Sequence, residues 1–377
     1  MMTGAPRLLF VVNQLGFFKS HRLPLALAAQ AKGFQVHIAT APSEAAAEMV
    51  ALGLTHHAVP LQRGGFNPLS DLRLLWSLLY LFLRLRPQVL HLVTIKPVIY
   101  GGIAARCLRL PSVIMAISGL GFVFIQKSGL SRVLQTFVQQ LYRLAVGGNR
   151  VRVIFQNQDD CETFKAFTHL RQQQTLLIPG SGVPLSLYRY TPEPMGGVVV
   201  TMAARLLIDK GVFEFIAAAE QLHARGVVAR FCLVGDLDPD NPSACTAADV
   251  QRWREGGVVE ILGHCADIPA LFSNSHIVVL PSYREGMPKV LLEAAACGRA
   301  VVTTDVAGCR DAIEPDVTGL LVAARDVSGL ADAIQSLILD AAMRQSMGQA
   351  GRRKAEQEFD ITHVVSRHLQ LYADMVA

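Results

Sequence analysis

Short apolar runs alternate with amphipathic stretches from one end of the chain to the other, the pattern of parallel strands joined by crossover helices. In the front half the runs predict strands over Leu8–Val12, Val36–Thr40, Val89–Val93, Ser112–Ile117, Val151–Phe155 and Leu176–Ile178. In the back half they predict Val198–Met202, Arg230–Val234, Val259–Leu262, Ile277–Leu280, Ala300–Thr303 and Leu320–Val322. Two α/β units follow, as 377 residues would suggest. The join is expected between Pro179 and Gly197, a stretch holding four prolines and four glycines. The expected domains are 1–180 and 181–360, with the helical tail 361–377 crossing back to complete the first. Ligands in such sheets sit at the carboxyl ends of the strands, so two facing Rossmann-like sheets imply a cleft between domains.

Charge divides the chain unequally. Met1 to Tyr190 carries 19 Lys and Arg against 6 Asp and Glu, a net +13, and the remainder is net −8. The basic front half calls for an anionic partner. The seven cysteines have no paired spacing and fit a reducing compartment. The opening M-M-T-G-A-P-R-L-L-F-V-V-N reads as a first buried strand rather than a signal peptide. No run reaches the roughly 18 apolar residues of a membrane span. The stretches Leu69 to Arg86 and Leu130 to Arg143 mix apolar and aromatic residues with arginines, as helices lying in a membrane interface do. Packing on the first sheet is the better explanation for most of their apolar residues. Peripheral attachment to anionic lipid is the expectation.

Candidate chemistry gathers in the back half. After the strand at Ile277, R-E-G-M-P-K-V-L-L-E-A places Glu285 and Glu293 eight positions apart. Pro288 suits the first position of a helix, and Gly286 lets the chain turn so that N–H groups around Met287, Pro288, Lys289 and Val290 can meet a phosphate. Glu293 then lies roughly 7 Å further along the helix. A nucleoside diphosphate sugar fits this ruler, with its diphosphate over the helix end and its hydroxyls at the two glutamates. The plainer alternative is favourable charge at a helix start and a solvated helix residue. In A-A-R-L-L-I-D-K-G, directly after the strand at Val198, Arg205 and Lys210 could neutralise a leaving diphosphate.

Asp236, Asp238 and Asp240 alternate in G-D-L-D-P-D-N, but a calcium loop needs Gly at its sixth place and Glu at its twelfth, where Asn241 and Ala247 stand. A solvated loop is expected there, and no metal. The front domain has Gly16 but no G-x-G-x-x-G, which argues against a dinucleotide oxidoreductase. A nucleic-acid binder would need aromatic–basic interleaving that is missing.

Together, A-R-L-L-I-D-K-G, E-G-M-P-K-V-L-L-E, G-V-P-L-S-L-Y, V-G-D and A-C-G-R-A-V-V-T-T-D-V-A-G-C-R-D-A-I resemble the retaining glycosyltransferases of family 4 along the whole chain. N-Q-L-G-F-F-K-S-H-R-L-P, I-S-G-L-G and V-G-D-L-D-P-D-N-P-S resemble the subgroup that extends saccharides on undecaprenyl diphosphate, whose usual donors are UDP-sugars, often N-acetylhexosamines. The resemblance implies a GT-B fold, with an acceptor-side first domain and a donor-side second. It implies Arg205 and Lys210 on the donor diphosphate, Glu285 on the transferred sugar, Glu293 on the ribose, Gly286 and Met287 giving backbone contacts, and Gly16 opening a first-domain loop toward the phosphates. No cofactor beyond the UDP-sugar is implied.

Ser118 stands where many members carry a histidine, so that histidine's role does not carry over. Lys19, His21, Arg22, Lys96 and Ser118 are the acceptor-side candidates, with His91 beside them. The expected activity is transfer to a lipid-linked saccharide at the cytoplasmic face of the inner membrane. A soluble acceptor, or a UDP-N-acetylglucosamine 2-epimerase, remains the alternative.

Overall fold

A computed structural model describes residues 5–62, 67–120, 129–148 and 150–376. Gly121 of I-S-G-L-G lies outside the described residues. The chain divides into two compact units, Met1–Ser181 with Val364–Ala377, and Gly182–His363.

The first unit is built on a seven-stranded parallel sheet: β1 (Arg7–Val11), β2 (Gln35–Thr40), β3 (Thr55–Ala58), β4 (Val89–Val93), β5 (Val113–Ile117), β6 (Val151–Phe155) and β7 (Thr175–Leu177), in the order β3-β2-β1-β4-β5-β6-β7. Strand β3 was not expected. Its sequence, T-H-H-A, offers no apolar run, because an edge strand needs little burial on either face. The other strands alternate faces with period two. Leu9, Val11, Leu90, Leu92 and Met115 enter one apolar layer, and Leu8, Phe10, Val89, Val93 and Ile114 enter the other.

The second layer is completed from the far end of the chain. Helix Ile361–Val376 contributes Val364, Leu371 and Tyr372 to it. The Tyr372 hydroxyl lies 2.6 Å from His91 Nδ1, and Ser112 Oγ donates to the Met375 carbonyl at 2.6 Å. His91 and His368 stack with centroids 5.8 Å apart, beside Arg22, whose guanidinium burial holds at a pKa of about 10. Burial, with Arg22 nearby, holds His368 down to about 3 and His91 well below its ordinary value. His37, facing His57 at 3.0 Å, is held to about 4, chiefly by burial.

These histidines are neutral when folded and take up protons near pH 6.5 when unfolded. Stability is therefore full above pH 6.5 and declines as the pH falls toward 4 and 3. For His368 alone the loss reaches about 2 kcal/mol by pH 5. A melting-temperature series from pH 7.5 to 5 should slope downward below 6.5, and more gently in His368→Gln; equal slopes would remove His368 as the cause.

The second unit has a six-stranded parallel sheet: β8 (Val199–Ala203), β9 (Arg230–Val234), β10 (Val259–Gly263), β11 (Ile277–Leu280), β12 (Ala300–Thr304) and β13 (Gly319–Val322), ordered β10-β9-β8-β11-β12-β13. In each sheet the strand order reverses beside the first strand, between β1 and β4 and between β8 and β11. That reversal splays the adjoining loops and opens a crevice at the strands' carboxyl ends.

Candidate active site

Arg205 leaves the end of β8, and Glu285 lies in the loop after β11, so the two motifs flank the reversal point of the second sheet. Lys210 Nζ donates to Glu285 Oε1, which also accepts from Ser282 Oγ at 2.7 Å. The partly exposed Arg205 guanidinium donates to Asp238 Oδ2 at 2.6 Å. Asp238 is buried. The loop read as solvated therefore supplies a fixed carboxylate that orients Arg205. That loop leaves β9, the neighbour of β8, and the parallel pairing brings the two ends together.

Two glycines hold the site loops in place. Gly211 adopts φ +75°, and a Cβ there would collide with the Pro281 carbonyl. The turn carrying Lys210 can thus lie directly on the loop that leads to Glu285. Gly308 adopts φ +79°, where a Cβ would stand 2.6 Å from the carbonyl oxygens of both Glu285 and Gly286. Left-handed backbone and close approach together make glycine the fitting residue at both positions.

The helix over the second glutamate runs Lys289–Ala296, and Pro288 is its N-cap, with φ −74° and ψ 111°, rather than its first residue. The proline ring still suits the place, because ψ is free to be extended there. Met287 packs into the unit's core. Glu293 is buried, accepts from the Tyr188 hydroxyl at 2.5 Å and pairs with Lys289 at 3.1 Å. Glu293 is therefore not a solvated helix residue. Burial and the Glu293 charge push the Tyr188 hydroxyl well above its ordinary pKa, so it acts as a hydrogen-bond donor. Val290 occupies the helix's first turn. Cys309, near Glu285, has its thiol pushed up to about 12 by burial, which disqualifies it as a nucleophile. The roles of Asp238 and Tyr188 were missed because their targets, Arg205 and Glu293, lie 33 and 105 positions away; Ser282 stands three positions from Glu285, but a serine in that loop carries no signal of the bond.

The first unit places its candidates differently. Gly16 is the second residue of helix Leu15–His21, with open space around it, so it does not open a loop. Lys19 pairs with Glu48 at 2.5 Å on the surface. His21 stacks on Phe17 at 4.1 Å, which holds it by its own helix. Arg22 is buried and donates to the His21 carbonyl at 3.2 Å, with Tyr372 nearby. It belongs to the packing of the C-terminal helix and is withdrawn as an acceptor contact. Lys96 is half-buried and paired with buried Asp71 at 2.9 Å. His91 is in the core. Ser118 follows β5, its Oγ buried without a protein partner. Thr94, after β4, holds φ +75°, a conformation costing of order 1–3 kcal/mol in a residue other than glycine.

Two family models match the chain: "Glycosyl transferase 4-like" over residues 7–157 and "Glycosyl transferases group 1" over residues 197–340. The chain belongs to these glycosyltransferases. Over 364 residues the glycosyltransferase is 28% identical to the N,N'-diacetylbacillosaminyl-diphospho-undecaprenol alpha-1,3-N-acetylgalactosaminyltransferase of Campylobacter jejuni, covering 93% of this chain and 94% of that protein. It is 24% identical to the UDP-Gal:alpha-D-GlcNAc-diphosphoundecaprenol alpha-1,3-galactosyltransferase of Escherichia coli, covering 84% and 83%. Among solved structures it resembles Anabaena HepE in complex with UDP, with TM-score 0.78, 19% identity and coverage of 98% and 100%. It also resembles sucrose-phosphate synthase of Thermosynechococcus elongatus, with TM-score 0.79, 20% identity and coverage of 98% and 99%. The fold of the glycosyltransferase is GT-B: two parallel-sheet α/β domains.

Proposed function

We propose that the protein is a metal-independent, retaining transferase that moves an N-acetylhexosamine from a UDP-sugar to an undecaprenyl-diphosphate-linked saccharide. The observation that carries this reading is the convergence of Arg205, Lys210 and Glu285 at the reversal point of the second sheet. Arg205 and Lys210 supply the positive charge that a departing UDP requires, and a cation fixed by Asp238 needs little reorganisation as that charge grows. Glu285, steadied by Ser282, accepts from hydroxyls of the transferred sugar. Glu293, steadied by Tyr188 and Lys289, does the same for the ribose. The acceptor hydroxyl approaches the face that UDP leaves, so the anomeric configuration is retained without an enzyme nucleophile. The undecaprenyl-linked substrates named for the two relatives support the acceptor class.

The test is transfer of label from a panel of UDP- and GDP-sugars into organic-extractable lipid, run with and without EDTA. Label from one UDP-N-acetylhexosamine, undiminished by EDTA and with the donor's anomeric configuration by NMR, is expected. Loss of turnover in EDTA would sink metal independence, and an inverted product would sink retention. Label entering only a water-soluble product would move the acceptor out of the lipid phase. Conversion of the UDP-sugar alone would point to an epimerase.

Our reading puts this work at the cytoplasmic face of a membrane, and helix Pro68–Leu85 supports the attachment to a membrane surface. Leu74, Leu78, Leu81 and Phe82 are buried, while Leu69, Leu72, Trp76, Tyr80 and Leu83 are 52–82% exposed. At 100° per residue the exposed five fall within about 80° of arc, with Arg73 and Arg84 beside them. Such a face fits the headgroup region of an anionic bilayer. Helix Gly129–Val146, packed on the same layer of the sheet, also exposes Leu134, Phe137 and Leu144. Among the described residues no helix is long and apolar enough to cross a membrane. The double variant Trp76→Asp/Tyr80→Asp should lose about tenfold in flotation with phosphatidylglycerol vesicles; full flotation would place attachment elsewhere.

A further inference from the structure

The first sheet also has a recess at the amino ends of its strands, remote from Thr94 and Ser118. Between the starts of β5 and β6 lies an open cleft of about 630 Å³, within the size range of small-molecule sites. Helix Gly102–Cys107 and the turn after it form one wall, and the end of helix Gly129–Val146 forms the other. Ala105, Val113, Ala145 and Val151 make a buried aliphatic floor. Arg106, Arg109 and Arg150 stand exposed around it. Among the described residues no carboxylate and no aromatic ring lines the cleft, and none of the three arginines has an acidic partner.

Closing helix ends is the plainest use for such arginines, and it accounts for one of them. Arg106 Nη1 donates to the Leu144 carbonyl at 2.9 Å, and Gly147 leaves it room, since a Cβ there would stand 2.2 Å from that nitrogen. Among the described residues Arg109 and Arg150 make no side-chain hydrogen bond. Arg109 holds φ +52°, in the left-handed place after a helix that glycine usually takes. Three guanidinium groups without a carboxylate repel one another, and an anion relieves that repulsion. The planar fork of arginine matches the oxygens of a phosphate. With no ring to stack on a base, the cleft suits a ligand with an aliphatic body.

We propose that this cleft binds a phosphate ester with an aliphatic body, the phosphate at Arg106, Arg109 and Arg150 and the body over Ala105, Val113 and Val151. The site is separate from the donor chemistry, which lies in the second unit, and does not rest on the transferase reading. A membrane phospholipid and a soluble phosphate ester share this chemistry. Leu144, whose carbonyl Arg106 holds, is exposed and gives the chains of a lipid an apolar surface beside the arginines.

The test is calorimetry on the whole protein with three probes: dihexanoyl phosphatidic acid below its micelle concentration, glycerol 3-phosphate, and dihexanoyl phosphatidylcholine, whose choline cancels the phosphate charge. Phosphatidic acid is expected to bind, and phosphatidylcholine at least tenfold more weakly. Arg109→Ala and Arg150→Ala should each weaken phosphatidic acid about tenfold. Lys32→Ala, which removes an exposed charge of the same unit away from the cleft, should stay within twofold of wild type. Melting temperatures of the arginine variants should match wild type, which separates lost binding from lost folding. Glycerol 3-phosphate binding as tightly as the lipid would assign a soluble ester as the source, and binding of the lipid alone would assign the membrane. Binding of neither phosphate probe, equal binding of phosphatidylcholine, or arginine variants that bind like wild type would overturn the site.

Discussion

Arg205→Ala is expected to lower kcat/KM for sugar transfer by about 10²-fold or more, the usual cost of deleting one contact to charge that grows in the transition state. Most of the loss should fall on kcat, because the guanidinium is needed most when UDP carries its departing charge. Arg205→Lys should recover little, since an ammonium cannot reproduce the planar fork that Asp238 orients. Asp238→Asn provides the intermediate case: the guanidinium keeps its charge and loses its fixed partner, so the fall should be smaller, roughly tenfold. Steady-state kinetics on purified protein with the donor found by labelling would measure all three. Turnover of Arg205→Ala within threefold of wild type would take the leaving-group role away from this residue.

The second large effect is structural. Gly211→Ala places a Cβ against the Pro281 carbonyl at a backbone angle that alanine resists. Strain of about 1–3 kcal/mol and a comparable overpacking cost should lower the melting temperature of the second unit by roughly 10 °C. Activity should vanish with it, because the displaced turn carries Lys210 away from Glu285. Gly16→Ala, where a Cβ would meet nothing within 4 Å, is the stability control and should melt like wild type. A Gly211→Ala protein with unchanged melting temperature would mean that the two loops can part at little cost.

How much of this was legible in the sequence depends on the range of the interaction. Strands such as Ile277–Leu280 are apolar because both faces of their sheet are covered, so their own residues announce them. β3 is an edge strand with two histidines and announces nothing. Glu285, Lys210 and Arg205 could be read as a group because each belongs to a strand-to-helix turn. The partners that fix the site could not: Asp238 meets Arg205 only once β8 and β9 are paired, Tyr188 meets Glu293 across 105 positions, and Ser282, though three positions from Glu285, gives no sign of its bond. Arg22 shows the opposite failure. Beside His21 and Lys19 it looks like a surface cation, yet its environment is set by Tyr372, 350 positions further along the chain.

Helix Ile361–Val376 also sets a timetable. The first sheet emerges from the ribosome early, but Val364, Leu371 and Tyr372, which close one of its apolar layers, are made only after the entire second unit. At synthesis rates of about 5–20 residues per second, that layer stays open to water for roughly 10 to 40 s. The nascent first unit is therefore expected to engage holding chaperones through that interval, and the second unit, contiguous in sequence, is the one able to finish folding first.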